Sequence, residues 1–375
     1  MTYDVAIVGL GAMGSMAAWH LARRGLKVVG FDRFRPPHTM GSSHGLSRII
    51  REAYAEGPQY VPLVQRAYEH WAELERLSGR CLLVRTGGLM IGPPDSRIVA
   101  GARRSATLHG VKVESLSAAE VRARFPVFAL PPGSVALLES RAGILNPELA
   151  VQTALEQARQ GGAELHFEEP VERWAAGSRI TVETGAAGYE AERLILCAGA
   201  WMAKGLPRLQ LQLQVARQLL FWFTPLRDAE LFAPERCPVF LWEWAPGRNI
   251  YGFPDQGMGV KVAIHHEGPP VDPDAIDRTV APGEDAELRG ILEGHIPSAA
   301  GPVAHSAVCM YTNTEDWHFV LDLHPDDRRV VVASPCSGHG FKFAPAIGEI
   351  LADLALHGGS RFDLAPFALA RAALA

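Results

Sequence analysis

The stretch Asp4-Val-Ala-Ile-Val-Gly-Leu-Gly-Ala-Met-Gly14 decides the fold of this 375-residue chain. Its apolar first half predicts a short buried strand, and residues 13–24 predict a helix that ends at Gly25. Residues 27–31 predict a second strand, and Asp32 follows it, 18 residues past the last glycine of the stretch. Strand, glycine-rich turn, helix, strand and acidic residue together make a dinucleotide-binding unit.

Each element of such a unit has a physical role. Gly9 permits the tight turn, Gly11 lets the backbone approach a pyrophosphate, and Gly14 lets the helix pack closely on the strand. The helix N-terminus attracts phosphate charge, and Asp32 accepts hydrogen bonds from a ribose hydroxyl. A glycine-rich turn in an unrelated α/β domain is the alternative. The unit itself does not distinguish NAD from FAD.

Length and composition limit the number of domains and the kinds of binding partner. A chain of 375 residues has room for about two domains, and 48% hydrophobic residues can fill their cores. The net charge of −5 gives no reason to expect a nucleic acid or a membrane surface as partner. No apolar run reaches the roughly 18 residues of a membrane span. The N-terminal stretch lacks the basic flank of a signal peptide, so we expect a strand there.

The cysteines indicate the redox environment. They are odd in number, scattered and without CxxC spacing, at positions 81, 197, 237, 309 and 336. This pattern argues against a disulfide framework and against a zinc site, so we expect no metal. It also suggests a reducing cytoplasm.

Further elements follow along the chain. Helices are predicted over 58–77, 147–160 and 345–356, and strands over 86–91, 134–139, 164–167, 193–199, 217–223, 259–264 and 329–333. Mixed αβ stretches alternate with all-β stretches, which predicts an α/β fold with an inserted sheet-rich domain. We expect the dinucleotide domain to comprise residues 1–82, 146–213 and 313–375, and the substrate domain residues 83–145 and 214–312.

Two basic patches are candidates for a binding role. In Gly41-Ser-Ser-His-Gly-Leu-Ser-Arg-Ile-Ile-Arg51, Arg48 and Arg51 would share one face if the segment were helical. They could clamp an anion, although two surface arginines are the simpler interpretation. Lys261 and His265 share a parity, so a strand would point both to one side. Lys261 is either a desolvated functional lysine or a snorkelling edge residue.

Two further patches lie in the last quarter of the chain. Cys309 is either a small buried hydrophobe or a nucleophilic thiolate, which needs a cationic or electron-poor neighbour. In Ser337-Gly-His-Gly-Phe-Lys-Phe343, two glycines flank a histidine at a strand-to-helix turn, which favours close approach of the backbone to a ligand. We expect Lys342 in the first turn of the last helix, where the helix dipole disfavours a cation. A residue placed against local preference indicates function.

Taken together and in this order, these patches resemble the monomeric sarcosine oxidase family, flavoenzymes that oxidise N-methyl amino acids. N-methyltryptophan oxidase and pipecolate oxidase are relatives. The resemblance runs nearly end to end and includes Pro36-Pro-His-Thr39, His44-x3-Arg48-Ile-Ile-Arg51, Tyr54-x-Glu56-Gly57, Tyr251-Gly-Phe-Pro254, Lys261, Cys309-Met-Tyr-Thr312 and the Ser337–Phe343 stretch. One departure is Leu241, at a position where sarcosine oxidases tend to carry a pocket-lining methionine.

The resemblance implies a Rossmann-type FAD-binding domain, with the inserted sheet domain over the active site. It implies FAD, attached covalently through Cys309. The residues that it places around the cofactor are Gly9, Gly11, Ala12, Met13, Gly14, Asp32, Arg33, Ser42, Ser43, Val171, Ala198, Gly199, Cys309, Gly338, Gly340, Phe341 and Lys342.

The resemblance also assigns roles in catalysis. Arg51 and Lys342 match the residues that hold the substrate carboxylate, and Lys261 matches the lysine that promotes reaction with oxygen. Other members of the catalytic pocket are His44, Arg48, Tyr251, His265 and Tyr311. The implied reaction oxidises the N-methyl group to an imine, which water hydrolyses to formaldehyde and the free amino acid, while oxygen becomes hydrogen peroxide. The flavin carries the electron chemistry without a metal.

Several alternatives stay open. The departure at Leu241 leaves a bulkier or cyclic secondary amino acid as an alternative to sarcosine. A flavin dehydrogenase that passes electrons to another acceptor, an NAD-dependent dehydrogenase and a non-catalytic flavoprotein are further alternatives. We expect a cytoplasmic protein, acting as a monomer on a small secondary amino acid and oxygen.

Overall fold

The computed structural model describes residues 2–205 and 211–371, and within them the chain forms nineteen strands and eight α-helices. The strands are β1 (Thr2–Val8), β2 (Val28–Asp32), β3 (Arg48–Ile50), β4 (Leu83–Arg85), β5 (Gly88–Gly92), β6 (Glu114–Ser117), β7 (Val135–Glu139), β8 (Gly143–Leu145), β9 (Glu164–Phe167), β10 (Val171–Ala176), β11 (Ile180–Thr184), β12 (Gly188–Leu196), β13 (Gln214–Phe223), β14 (Val239–Ala245), β15 (Arg248–Phe253), β16 (Val260–His265), β17 (Val303–Asn313), β18 (Val320–Leu323) and β19 (Val330–Ser334). The α-helices are α1 (Ala12–Ala22), α2 (Val61–Ser78), α3 (Arg97–His109), α4 (Ala118–Arg124), α5 (Pro147–Gln160), α6 (Met202–Gly205), α7 (Ala286–His295) and α8 (Ala344–His357). Residues 1, 206–210 and 372–375 of the predicted dinucleotide domain lie outside the described residues.

The first sheet is mixed and carries the glycine-rich turn. Its order is β10-β11-β12-β1-β2-β9, and β19 also pairs with β12 and with β18. Strand β1 lies between β2 and β12 and is parallel to both, with Val8 opposite Phe31 on one side and Leu196 on the other. The carboxyl ends of three strands therefore meet at one edge. In parallel sheets a crevice at this edge is the usual ligand site.

Burial explains why β1 forms. Val5, Ala6 and Ile7 are fully buried, as expected for a parallel strand covered on both faces. Helix α1, rich in alanine and buried along nearly its whole length, packs against α5 and α8. The predicted elements from Asp4 to Asp32 are thus present, and the predicted α/β class is confirmed.

The second sheet lies across a cavity from the carboxyl edge of the first sheet. Its order is β17-β13-β16-β15-β14-β5-β7-β6, and all neighbours are antiparallel except β14 and β5. A small third sheet, β3-β8-β4, joins segments on both sides of a predicted domain boundary at residues 82–83. The domain boundaries themselves stay a prediction.

Local structure differs from the sequence-based expectation at three places. Arg48 lies on strand β3 and Arg51 just after it, so the helix considered for this patch is wrong. The last helix begins at Ala344, so Lys342 lies in a preceding 3₁₀ turn and not in its first turn. Strand β12 begins earlier than predicted, at Gly188, because its first residues pair with β11, and it ends at Leu196 before the glycine turn. Strand pairing therefore decides the conformation at Arg48 and the start of β12.

Two further properties of the described chain concern membrane spans and cysteines. No helix in the described part of the chain is both long and apolar enough to span a membrane. The five cysteines, all of which lie in described residues, are free thiols.

Candidate active site

A cavity of about 1310 Å³ separates the carboxyl edge of the first sheet from the second sheet. Pockets for one small ligand measure roughly 300–1,000 Å³, so this cavity has room for a cofactor and a small substrate together. Of the predicted site residues, those that line it are Gly9, Gly11, Ala12, Met13, Asp32, Arg33, Ser42, Ser43, Arg48, Arg51, Val171, Ala198, Gly199, Tyr251, His265, Cys309, Tyr311, Gly338, Gly340, Phe341 and Lys342. Gly14, His44 and Lys261 lie behind its wall.

The three glycines of the turn have different surroundings. Gly9 has φ +93°, and a Cβ atom on it would lie 2.5 Å from the carbonyl oxygen of Cys197. A Cβ on Gly14 would overlap the carbonyl oxygen of Gly9, which explains the close packing of α1 on β1. Gly11 is open: the nearest atom to its built Cβ is Ser43 Oγ at 3.7 Å. The backbone at Gly11 is therefore accessible from the cavity.

Asp32 is fixed by the backbone of the turn. Its Oδ2 accepts a hydrogen bond from the amide of Leu10 at 2.8 Å, and its Oδ1 accepts one from the amide of Phe34 at 2.9 Å. The carboxylate lines the cavity at the end of β2. This is where a ribose-binding acid is needed in a dinucleotide site.

A polar cluster around Asp274, which the sequence analysis did not predict, lies at the same end of the cavity. Asp274 accepts hydrogen bonds from Arg33 at 2.6 Å, from Lys204 Nζ at 2.6 Å and from the indole of Trp201 at 2.8 Å. These contacts join residues separated by up to 241 positions, so no local pattern could have shown them.

Arg48 approaches the candidate nucleophile. Its guanidinium donates to the carbonyl oxygens of Ser47 at 2.8 Å and Ser42 at 2.7 Å, and lies 3.8 Å from Cys309 Sγ. Cys309 is buried on β17, and both Cys309 and Arg48 line the cavity. A cationic neighbour is the feature that distinguishes reactive cysteines from inert ones.

Lys261 is a fully desolvated lysine. Its side chain is 1% exposed, which rules out snorkelling. Nζ donates to the carbonyl oxygen of Gly45 at 2.6 Å and to Ser47 Oγ at 3.1 Å, and it lies about 5 Å from the ring centres of Trp222 and Phe253. Burial, and then the charge of Arg48, lower the pKa of Lys261 well below its usual value.

Arg51 is paired with a carboxylate in the structure. It donates to both oxygens of Glu56, at 2.8 and 2.7 Å, and to the carbonyl oxygen of Ala53 at 2.9 Å. Burial opposes the charge on Arg51, but the Glu56 carboxylate more than compensates and raises the arginine pKa. Conversely, burial of Glu56 is outweighed by Arg51, and the pKa of this acid is lowered. Glu56 belongs to a motif quoted above, yet nothing in the sequence gave it a role.

Lys342 lines the cavity from the turn before α8. Nζ donates to the carbonyl oxygen of His339 at 2.7 Å and to the hydroxyl of Tyr54 at 3.2 Å. Burial, followed by the nearby charge of Arg51, lowers the pKa of Lys342 to about 7, while Glu56 acts in the opposite direction. The two cations are thus close enough to interact electrostatically.

Aromatic and imidazole groups fill the rest of the cavity wall. His265 Nδ1 lies 3.0 Å from the hydroxyl of Tyr311, and the rings of His265 and Tyr251 are in edge contact at 5.7 Å. Burial lowers the pKa of His265 and raises the pKa values of Tyr251 and Tyr311, so all three are neutral near pH 7. His44 is also neutral, since burial lowers its pKa to about 3, and its Nε2 has no partner.

These features fit a flavin dinucleotide. Helix α1 has Gly11 as N-cap, and Gly11, Ala12 and Met13 at its N-terminus line the cavity. The amide of Ala12 donates to Ser43 Oγ at 3.3 Å, and the positive end of the helix dipole favours a phosphate at this place. The turn, Asp32 and the Asp274 cluster would hold the nucleotide part. Cys309 and Arg48 would adjoin the reactive ring, with Lys261 behind them. Among the described residues, no cluster of three or more His, Cys, Asp or Glu side chains could hold a metal ion.

Comparison with known proteins identifies the family. Residues 4–354 match the family described as DAO, FAD dependent oxidoreductase. Over 371 residues the chain is 44% identical to a monomeric sarcosine oxidase from Streptomyces avermitilis, a match that covers 98% of this chain and 97% of the relative. It is 38% identical to an N-methyl-L-tryptophan oxidase from Salmonella arizonae, over 99% of both chains.

A solved structure agrees with the fold. NikD, an unusual amino acid oxidase, superposes with a TM-score of 0.84 at 24% identity, over 98% of this chain and 97% of NikD. The predicted resemblance is confirmed, and the family match resolves the choice between NAD and FAD. The chain is an FAD-dependent oxidoreductase and belongs to the family of monomeric sarcosine oxidase and N-methyl-L-tryptophan oxidase.

Proposed function

We propose that this chain catalyses the oxidative demethylation of an N-methyl amino acid, with FAD as cofactor and oxygen as electron acceptor. The observation that carries this proposal is the pair of buried cations, Arg51 and Lys342, on the wall of the cavity that also contains the dinucleotide turn. Relatives that carry the names monomeric sarcosine oxidase and N-methyl-L-tryptophan oxidase support it.

The charge balance of the clamp favours a monoanionic carboxylate. Arg51 and protonated Lys342 contribute two positive charges, and Glu56 contributes one negative charge. One positive charge is left over, and a substrate carboxylate would neutralise it. The guanidinium and the ammonium retain donors that their protein partners do not use, so each can bind a carboxylate oxygen.

The remaining wall favours a neutral substrate amine. His265, Tyr251 and Tyr311 are neutral, and the nearby cations Arg51 and Lys342 disfavour an ammonium group. A neutral amine has the lone pair that assists departure of hydride from the adjacent carbon. FAD, when bound, accepts these two electrons and transfers them to oxygen. Water then converts the imine to formaldehyde and the free amino acid.

We further propose that Cys309 attaches the flavin covalently and that Lys261 promotes the reaction with oxygen. The position of Arg48 beside Cys309 Sγ supports the first role. Replacing a C–H bond by a C–S bond is a two-electron oxidation, for which oxygen is the terminal acceptor. The three acceptors around Lys261 Nζ, which are the carbonyl oxygens of Gly45 and Ser47 and Ser47 Oγ, support the second role. They favour the protonated amine against the effect of burial, and a fixed cation in a dry site stabilises negative charge that develops on oxygen.

An apolar part of the cavity wall is available for the substrate side chain. Leu241 lines the cavity with Tyr251 and Phe253, so this wall is apolar and accepts either the small sarcosine or a bulkier N-methyl amino acid. A cytoplasmic location is part of the same proposal and is supported by the five free thiols. We also propose that the protein acts as a monomer.

An absorbance spectrum before and after acid precipitation, followed by anaerobic titration, tests the proposal. Flavin bands that remain with the pellet, and that bleach with sarcosine or N-methyltryptophan, are expected. Oxygen uptake with release of hydrogen peroxide should follow on admission of air. Fast bleaching without peroxide would instead indicate a dehydrogenase. A bound flavin that no secondary amino acid bleaches would refute the catalytic proposal.

A further inference from the structure

A chain of hydrogen bonds begins at Lys342 and includes His339, which also lines the cavity. It runs from Lys342 Nζ to the hydroxyl of Tyr54 at 3.2 Å, and from this hydroxyl to Nδ1 of His339 at 2.8 Å. Nε2 of His339 then contacts the carbonyl oxygen of Trp317 at 3.0 Å. Tyr54 is fully buried, and Lys342 and His339 are each 6% exposed.

The geometry fixes the direction of every bond in this chain. The carbonyl oxygen of Trp317 can only accept, so Nε2 of His339 carries the hydrogen. The imidazole is neutral, because burial lowers its pKa to about 3, and Nδ1 therefore has a lone pair. The hydroxyl of Tyr54 must donate to this lone pair. Its oxygen is then free to accept from Lys342.

Two of the three N–H groups of Lys342 are thereby assigned. One donates to the hydroxyl oxygen of Tyr54 and one to the carbonyl oxygen of His339. An ammonium group held at two points has a fixed orientation, and its third N–H group is left for the cavity that Lys342 lines.

The ring of Tyr54 also contacts the second cation. The guanidinium carbon of Arg51 lies 4.4 Å from the ring centre, and Lys342 Nζ lies 5.2 Å from it. Both cations are attracted to the ring face. Tyr54 therefore touches both halves of the clamp, through its ring and, for Lys342, also through its hydroxyl.

We propose that Tyr54 and His339 are positioning residues, which orient Lys342 and hold it in register with Arg51 for a substrate carboxylate. This inference rests on the role of Lys342 proposed above. Neither residue needs to touch the reacting atoms. Their effect is expected on carboxylate binding more than on turnover.

Tyr54→Phe in the holoenzyme separates the two contributions of the tyrosine, because it keeps the ring and removes only the hydroxyl. Loss of one hydrogen bond to a charged partner should raise the Kd for acetate, measured from the flavin spectrum, by about 10-fold. KM for the amino acid should rise by more than kcat falls. The hydroxyl oxygen also stabilises the charged lysine, so the alkaline midpoint of acetate binding should move to lower pH.

Tyr60→Phe is the matched control. Tyr60 is also fully buried, and its hydroxyl lies 2.8 Å from Nδ1 of another histidine, His318. Removal of this hydroxyl takes the tyrosine partner from a histidine Nδ1, as Tyr54→Phe does, but the Tyr60 hydroxyl makes no hydrogen bond to Lys342. Acetate binding should stay within about twofold of the wild type. Equal losses in the two variants would overturn the proposal, because they would indicate a general packing effect.

Lys342→Met distinguishes failure of this inference from failure of the proposed function. If this variant binds acetate as the wild type does, the carboxylate clamp itself is wrong, and the positioning role falls with it. If Lys342→Met weakens binding while Tyr54→Phe changes neither Kd nor the pH midpoint, only the positioning role is refuted. Weakened binding in both, with the midpoint shift in Tyr54→Phe, supports both proposals.

Discussion

The affinity of the cavity for a small carboxylate should fall as the pH rises above about 7, because Lys342 then loses its proton. Burial disfavours the charged form of this lysine, and Arg51 adds repulsion, so its pKa is about 7 in the free protein. A bound carboxylate adds a negative charge and favours the protonated lysine. Above pH 7, binding of the carboxylate therefore requires Lys342 to take up a proton. The affinity must decrease as the pH rises.

The magnitude follows from the linkage between protonation and binding. The apparent Kd is proportional to 1 + 10^(pH − 7) as long as the bound lysine stays protonated. From pH 7 to pH 9 this is a loss of about 50-fold, or about 2.3 kcal/mol at 1.36 kcal/mol per tenfold change. Below pH 6 the affinity should become constant.

Other groups around the clamp keep their protonation state over this range. The pKa of Glu56 is lowered, so it remains ionised. Burial lowers the pKa values of the four neighbouring imidazoles and raises that of the tyrosine hydroxyl, so these groups stay neutral; they are His265, His266, His318, His339 and Tyr54. Two further groups have shifted pKa values: burial raises the pKa of Glu139, which interacts with Arg51, and burial lowers the pKa of Lys261.

Titration of the holoenzyme with acetate between pH 6 and pH 9, followed by flavin absorbance, measures the effect. Lys342→Arg should flatten the profile, because a guanidinium stays protonated throughout this range. Lys261→Met should keep the slope. A profile that is flat in the wild type, or that loses its slope in Lys261→Met, would refute the reasoning.

Four further outcomes are expected. Cys309→Ala should release its flavin on acid precipitation, and flavin retained in the pellet would show that attachment is elsewhere. Lys261→Met should slow re-oxidation by oxygen at least about 100-fold more than reduction by substrate, as loss of one preorganised charge does; equal slowing would contradict its role. Gly14→Ala should lower the free energy of unfolding by about 1–3 kcal/mol, since its methyl group would overlap the backbone of Gly9. Gly11→Ala, which meets no atom within 3.4 Å, should leave thermal stability nearly unchanged while weakening FAD binding in the Cys309→Ala background.

Much of the cofactor half could be predicted from the sequence because its determinants are local. The turn from Gly9 to Gly14 and the acid at the end of the second strand are specified by residues within one βαβ unit, where chain connectivity leaves few alternatives. The even spacing of Lys261 and His265 likewise predicted that a strand would point both side chains to one side. Both residues lie on strand β16. The family resemblance, carried by short motifs, was confirmed by the comparisons.

The tertiary structure decided which of these residues are buried and what they contact. From the sequence, Lys261 could be an exposed residue at a sheet edge. In the structure, the loop that carries Gly45 and Ser47 covers it. Pairing of β3 with β8, and not helical periodicity, sets the position of Arg48. The Tyr54–Lys342 hydrogen bond joins residues 288 positions apart. Local sequence determines the backbone conformations that are favourable, but desolvation and charge pairing arise only when distant segments pack together, and they give the lysines of this site their chemistry.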